Sequence, residues 1–189
     1  MSWTAIVPLK AAAERKTRLS EALDGDAKAA LAEGMAYHVI ATLADSSAIG
    51  SIRVLSPVSF DIPGTTWEPD LGKGLNAELD RVCAALAGER MVIVHADLPL
   101  LCAEDVSALL GAADGVGAAI ATDRHGVGTN ALALREAACV GFAFGPDSLA
   151  HHLARLPHAV VLQRNGLAID IDTADDIAAA QGALPLGRW

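Results

Sequence analysis

The stretch "MVIVHADLPLL", Met91–Leu101, decides the fold class. Met91–Ala96 runs without apolar–polar alternation, the pattern of a strand buried on both faces of a sheet. A strand of that kind needs helices on either side, which points to an α/β protein with a mostly parallel sheet. Asp97 follows at once, ahead of Leu98, Pro99 and Leu100. A carboxylate in that position must be solvated, hydrogen-bonded or bound to a cation. Two readings stay open: Asp97 ligates a metal, or it caps the turn that follows.

The surrounding chain agrees with alternating strands and helices. Trp3–Val7 reads as a first strand closed by Pro8. Ala27–Ala44 reads as a helix with Asp26 as N-cap and a stripe of Leu31, Met35, Val39 and Leu43. Ser51–Ser56 is expected as a strand, and Pro57–Lys73, rich in Pro, Gly, Asp and Thr, as an irregular excursion. Leu75, Leu79, Val82 and Leu86 mark a second helix. A short helix is predicted over Glu104–Leu110, with strands at Gly117–Ala121 and Ala131–Leu134. "FGPDSLAHHLARL" (Phe144–Leu156) is a helix opened by Pro146 and Asp147. "AVVLQ" (Ala159–Gln163) and "LAIDI" (Leu167–Ile171) are expected as late strands. "TADDIAAAQ" (Thr173–Gln181) is a final helix, with Thr173 and Asp176 spaced as a capping box. No linker or repeat interrupts residues 1–189, which read as one domain.

Composition narrows the function. Apolar residues are 52% of the chain but aromatics only 4%, favouring small-residue helix–sheet packing over an aromatic-rich barrel. The net charge of -9 argues against nucleic acid or an anionic membrane as partner. Four of the 14 Lys and Arg residues, Lys10, Arg15, Lys16 and Arg18, crowd one N-terminal segment. That segment reads either as a small-polyanion site or as a solvated loop. Cys83, Cys102 and Cys139 include no C-x-x-C pair, so neither a disulfide framework nor a zinc knuckle is indicated. With no signal-peptide pattern at the start and no apolar stretch near the ~18 residues of a membrane span, a cytoplasmic protein is expected.

In open α/β sheets ligands bind at the carboxyl ends of the strands. The basic loop, Asp97, and the pair Asp170 and Asp172 would all lie there. Two acids two positions apart on a strand share a face, an arrangement suited to a divalent cation between them. Asp172 alone could equally start the last helix. His151 and His152, adjacent on a helix, cannot chelate together and read as surface residues; His95 reads as a tolerated strand-end group. G-x-S-x-G and G-x-G-x-x-G are absent, which disfavours a serine hydrolase and a dinucleotide enzyme. "TDRHGVGTNALAL" (Thr122–Leu134) reads as a turn and a site together. Gly126 and Gly128 reverse the chain and leave N–H groups to face an anion, with the Thr129 hydroxyl beside them.

Six segments in order, "IVPLKAAAERKTRLS", "GKGLNAEL", "VHADLPLL", "DRHGVGTNAL", "FAFGPDSLAHHL" and "LAIDIDTADDI", span residues 6 to 177. Together they resemble the 2-phospho-L-lactate guanylyltransferase family of coenzyme F-420 biosynthesis, within the MobA-like nucleotidyltransferases. The resemblance implies a Rossmann-like three-layer nucleotidyltransferase fold with a mostly parallel central sheet. It implies GTP as co-substrate, Mg²⁺ as cofactor, and 2-phospho-L-lactate, phosphoenolpyruvate or 3-phospho-D-glycerate as acceptor. By position it assigns Lys10, Lys16 and Arg18 to the nucleotide phosphates, Gly74, Leu75 and Asn76 to the guanine or ribose, and Thr129, Gly145 and Ser148 to the acceptor. Asp97, Asp170 and Asp172 become the metal ligands, with Lys16, Arg18 and Asp97 carrying catalysis. A homodimer and hand-off of product to the next enzyme are compatible with it. The alternatives are a MobA-like transferase with another acceptor, which leaves "DRHGVGTNAL" unexplained, and a non-catalytic GTP-binding regulator.

Overall fold

The computed structural model describes residues 2–9, 25–59, 62–138 and 140–181. Lys10, Lys16 and Arg18 lie outside them. β1 (Trp3–Pro8), α1 (Gly25–Ala44), β2 (Ile49–Ser56), β3 (Thr65–Pro69), α2 (Leu75–Ala85) and β4 (Arg90–Val94) make the first half. α3 (Ala103–Val116), β5 (Ala118–Thr122), β6 (Thr129–Leu134), α4 (Ser148–Arg155), β7 (Val160–Leu162), the single turn α5 (Asn165–Ala168) and α6 (Ala174–Gln181) make the second.

The strands form one seven-stranded sheet in the order β3-β2-β1-β4-β6-β5-β7. β1 runs parallel to β2 and β4, β2 parallel to β3, and β5 parallel to β7; β6 is antiparallel to both of its neighbours. The expected mostly parallel sheet is therefore present, with one reversed strand inside it.

Strand alternation sorts the core into two layers. Ala5, Val7, Val92, Val94, Ala119, Ala121, Ala131 and Ala133 face the side that holds Val39 and Leu43 of α1 and Leu109 and Ala113 of α3. Ile6, Met91, Ile93, Ile120, Leu132 and Leu134 face the other side, against Leu79 and Val82 of α2 and Phe142 and Phe144. Alanine dominates the first face on β5 and β6, which lets α3 pack close to the sheet. Each larger side chain buried this way contributes about 1.5–3 kcal/mol. Among the described residues no helix is long and apolar enough to cross a membrane.

Three expectations are corrected. The Pro57–Lys73 excursion contains edge strand β3, whose Trp67 indole donates to the Ser56 carbonyl at 3.0 Å. Asp26 lies inside the first turn of α1 rather than ahead of it. "LAIDI" is not a strand. Its first residues close α5, where the Arg164 carbonyl accepts the Leu167 and Ala168 N–H groups, and the rest is an extended connection. The final helix keeps its predicted start: the Thr173 N–H donates to Asp176 Oδ2 at 2.8 Å, and the Asp176 N–H reaches Thr173 Oγ1 at 3.4 Å.

Candidate active site

Residues distant in sequence converge where β4 ends. The His95 N–H donates to the Asn130 carbonyl (3.0 Å), extending the β4–β6 ladder beyond Val94. The Ile171 N–H donates to the Asp97 carbonyl (3.2 Å), drawing the connection after α5 against the end of β4. Asn130, only 4% exposed, fixes that connection from below. Its Nδ2 donates to the Leu167 carbonyl at 3.0 Å, the Ala168 carbonyl at 3.4 Å and Asp170 Oδ1 at 3.2 Å. With acceptors alone around that nitrogen, the orientation of the amide is determined.

The result is that Asp97, Asp170 and Asp172 each place a carboxylate oxygen within 4.8 Å of the other two. Asp97 and Asp170 are half-buried and Asp172 is exposed. Burial, then the neighbouring Asp97 charge, pushes the Asp170 carboxyl up to about 6, against the opposing pull of the Asn130 hydrogen bond; Asp172 adds to the rise. Three hard oxygen donors that repel one another suit a divalent cation such as Mg²⁺. The shared strand face expected for Asp170 and Asp172 is absent, yet the convergence of the three acids is present.

Asp176 anchors the far side. Its Oδ2 accepts the Asp172 N–H (3.1 Å), and its Oδ1 meets Arg124 Nη2 at 2.7 Å. Arg124 comes from the β5–β6 turn, so that turn is tied to the acid cluster through the start of α6. Within the turn, Asp123 Oδ1 accepts the Val127 N–H and the Asp123 carbonyl accepts that of Gly126. The Gly126 N–H is thus spent on the turn and does not face a ligand, contrary to expectation. Gly126 sits at φ 70°, where glycine is needed. A Cβ on Gly128 would meet Asp123 Oδ2 at 2.7 Å.

Thr129, Gly145 and Ser148 lie on three segments joined by one side chain. Thr129 opens β6, Gly145 (φ 129°) ends the 142–145 segment, and Ser148 opens α4 after Asp147 in the left-handed region (φ 53°). His152, one turn beyond Ser148, is fully buried. The expectation of a surface residue fails because α4 turns this face onto the sheet. His152 Nδ1 lies 3.0 Å from Thr129 Oγ1, and Nε2 accepts the Ala143 N–H at 3.1 Å. Burial, reinforced by the charges of Arg155, His151 and His95, lowers its pKa to about 4. The Phe144 ring stands edge-on to His152 at 4.8 Å and lies 5.1 Å from His95, which links this buried cluster to the end of β4.

Gly74 (φ 89°) precedes α2, Leu75 begins it, and Asn76 follows. The Asn76 amide donates to the Phe144 carbonyl (3.0 Å) and accepts its N–H (2.8 Å), so this side chain ties α2 to the 142–145 segment. Asn130, Asp176, Arg124 and His152 were not singled out as site residues from the sequence. Two local signals were present: the capping-box spacing of Thr173 and Asp176, and the four-residue spacing of Ser148 and His152, which places them on one helix face. A separate cleft of about 660 Å³, lined by His38, Cys102, Asp105, Arg164 and others, contains none of the three clustered acids.

The architecture recurs in solved structures. A protein from Desulfovibrio desulfuricans G20 described as a nucleotide-diphospho-sugar transferase aligns with a TM-score of 0.78 and 19% identity, covering 94% of this chain and 85% of that one. The 2-C-methyl-D-erythritol 4-phosphate cytidylyltransferase of Thermus thermophilus aligns with a TM-score of 0.62 and 14% identity over 97% and 98% of the two chains. The chain carries its acid cluster at the carboxyl edge of a sheet of the same fold. It belongs to the CofC-like guanylyl transferase family, whose model matches residues 3–180. Relatives named phosphoenolpyruvate guanylyltransferase include that of Sphaerobacter thermophilus, 31% identical over 99% of this chain and 96% of the relative. That of Rubrobacter xylanophilus is 34% identical over 97% and 95%.

Proposed function

We propose that this chain transfers GMP from GTP to a small phosphorylated carboxylic acid in coenzyme F-420 biosynthesis, with phosphoenolpyruvate the favoured acceptor, and releases pyrophosphate. The observation that carries the reading is the convergence of Asp97, Asp170 and Asp172 in a chain of guanylyl transferase family membership. The activity for which the relatives are named favours phosphoenolpyruvate over the other two acids.

An oxygen of the acceptor phosphate attacks the α-phosphorus of GTP. A new P–O bond forms, the α–β bridging bond breaks, and pyrophosphate leaves with that electron pair. The attacking phosphate is already ionised at neutral pH, so no general base is needed; alignment and charge neutralisation are. Asp97, Asp170 and Asp172 would hold Mg²⁺, which when bound neutralises phosphate charge. Lys10, Lys16 and Arg18 bind the triphosphate, and Lys16 and Arg18 stabilise the departing pyrophosphate. Gly74 and Leu75 offer the start of α2 to the nucleotide, held in place through Asn76. Thr129, Gly145 and Ser148 orient the acceptor.

The test is purified protein with Mg²⁺, each of GTP, ATP and CTP, and each of the three acids, with pyrophosphate measured and the product weighed by mass spectrometry. Release with GTP and phosphoenolpyruvate, and a product carrying GMP on the acid, is expected. GTP binding without release in any combination overturns the reading in favour of a regulator. Release with an acceptor outside this class favours another MobA-like transferase.

A further inference from the structure

We propose that His152 is the positioning residue of the acceptor pocket: as a neutral ring protonated on Nδ1, it joins the three segments that carry Thr129, Gly145 and Ser148 and orients the Thr129 hydroxyl as a donor. The inference rests on the acceptor reading above. It begins with a backbone N–H, which can only donate. Ala143 N–H points at Nε2 from 3.1 Å, so Nε2 carries no proton. A neutral imidazole then has its proton on Nδ1, 3.0 Å from Thr129 Oγ1. The hydroxyl oxygen accepts that bond, which leaves its own O–H to donate to an anionic oxygen.

The ring therefore ties together the first residue of β6, the segment two residues before Gly145, and the helix that Ser148 opens. It sits wholly inside the protein, edge-on to Phe144, with Arg155, His151 and His95 as the charged or titratable groups around it. All three disfavour a second proton on the ring, as does burial. A protonated ring would also set Nε2–H against the Ala143 N–H. The ring's hydrogen bonds go to Thr129 and Ala143, neither of them one of the three clustered acids. Its effect reaches the reaction through the pocket.

Two measurements test this. In histidine-¹⁵N-labelled full-length protein, His152 is expected to show a protonated Nδ1 and a bare Nε2 at pH 7.5 and still at pH 5.5. An Nε2–H tautomer or an imidazolium at either pH overturns the proposal, whatever the activity. In the pyrophosphate assay, His152→Phe should raise the KM for phosphoenolpyruvate at least tenfold while the KM for GTP stays within twofold. His152→Asn, which can still donate from near the Nδ1 position, should recover part of that loss. Equal rises for both substrates, or no recovery by asparagine, would assign His152 to general stability only. Wild-type protein that releases no pyrophosphate with any acceptor instead overturns the acceptor reading, and the spectrum still decides the tautomer.

Discussion

Acids that hold the fold together and acids that crowd one another both occur here, and their surroundings differ in kind. Glu78 is almost wholly buried, yet its Oε1 accepts the Leu71 and Lys73 N–H groups and its Oε2 meets Arg81 at 3.0 Å. Burial alone would raise its pKa, but the Arg81 bond and the two amides outweigh that and hold it below the usual range. Asp176 follows the same pattern, with Thr173, two backbone amides and Arg124 outweighing burial. Asp170 goes the other way. Its side-chain donor is Asn130, and it shares its space with Asp97 and Asp172, so burial and those charges push it up to about 6. Donors gathered around an acid stabilise a fold; acids gathered around an acid cost stability and suit a cation.

The sharpest way to break that contrast is Asp97→Asn. If the cluster exists for the reaction, turnover should fall roughly a thousandfold or more, several kcal/mol of lost charge stabilisation, while thermal unfolding stays near wild type. Unchanged Mg²⁺-dependent pyrophosphate release would remove Asp97 from the site.

The stabilising acids were partly legible and the acid cluster was not assembled by local pattern. Thr173 and Asp176 show their relation through a three-residue spacing, because a capping box is a local device. Leu31, Met35, Val39 and Leu43 reveal α1 for the same reason, and Met35, Val39 and Leu43 are fully buried. β3 was hidden by Pro63, Gly64 and Asp70 around it and by its place at the sheet edge, where burial imposes no apolar alternation. Leu167, Ile169 and Ile171 alternate as a strand would. However, their backbone partners are Arg164, Asn165, Asn130 and Asp97 rather than a neighbouring strand, and no periodicity encodes that. Asp97 could be placed at a strand end from its apolar prelude, but its nearness to Asp170 depends on the long-range bonds of Asn130 and Ile171. The strand-end rule put all three at one edge of the sheet, and the family resemblance made them one ligand set. His152 misleads because adjacent histidines suggest a solvated face, whereas the fold buries one of them.

The next effect in size concerns an anchoring acid. Asp176→Ala removes a helix cap and the Arg124 pair together, for an expected loss of about 2–3 kcal/mol in urea unfolding. The lowered pKa of Asp176 makes its stabilisation present above the ordinary aspartate value and lost as pH falls through the folded value. The difference between wild type and Asp176→Ala should therefore shrink as the pH is taken below the ordinary aspartate value. A difference that holds constant with pH would mean that the carboxylate's charge is not what Asp176 contributes.

Asp170→Asn should give the smallest shift, and of opposite sign. The folded pKa of about 6 lies above the ordinary aspartate value of 3.8, so the folded form binds the proton more tightly than the unfolded chain does. The favourable contribution is present at low pH and lost as pH rises through that window. At pH 7.5, without divalent cation, the wild type then carries a penalty of about 2 kcal/mol, discounted for partial exposure. Asparagine keeps an oxygen for Asn130 and removes the charge, so the variant should be the more stable protein and a nearly inactive one. Mg²⁺ should stabilise wild type and leave the variant almost unmoved. If Asp170→Asn instead destabilises the metal-free protein, Asp170 belongs with Glu78 and Asp176 among the acids that hold the fold. The contrast between the two kinds of acid would then fail at the residue that most clearly expresses it.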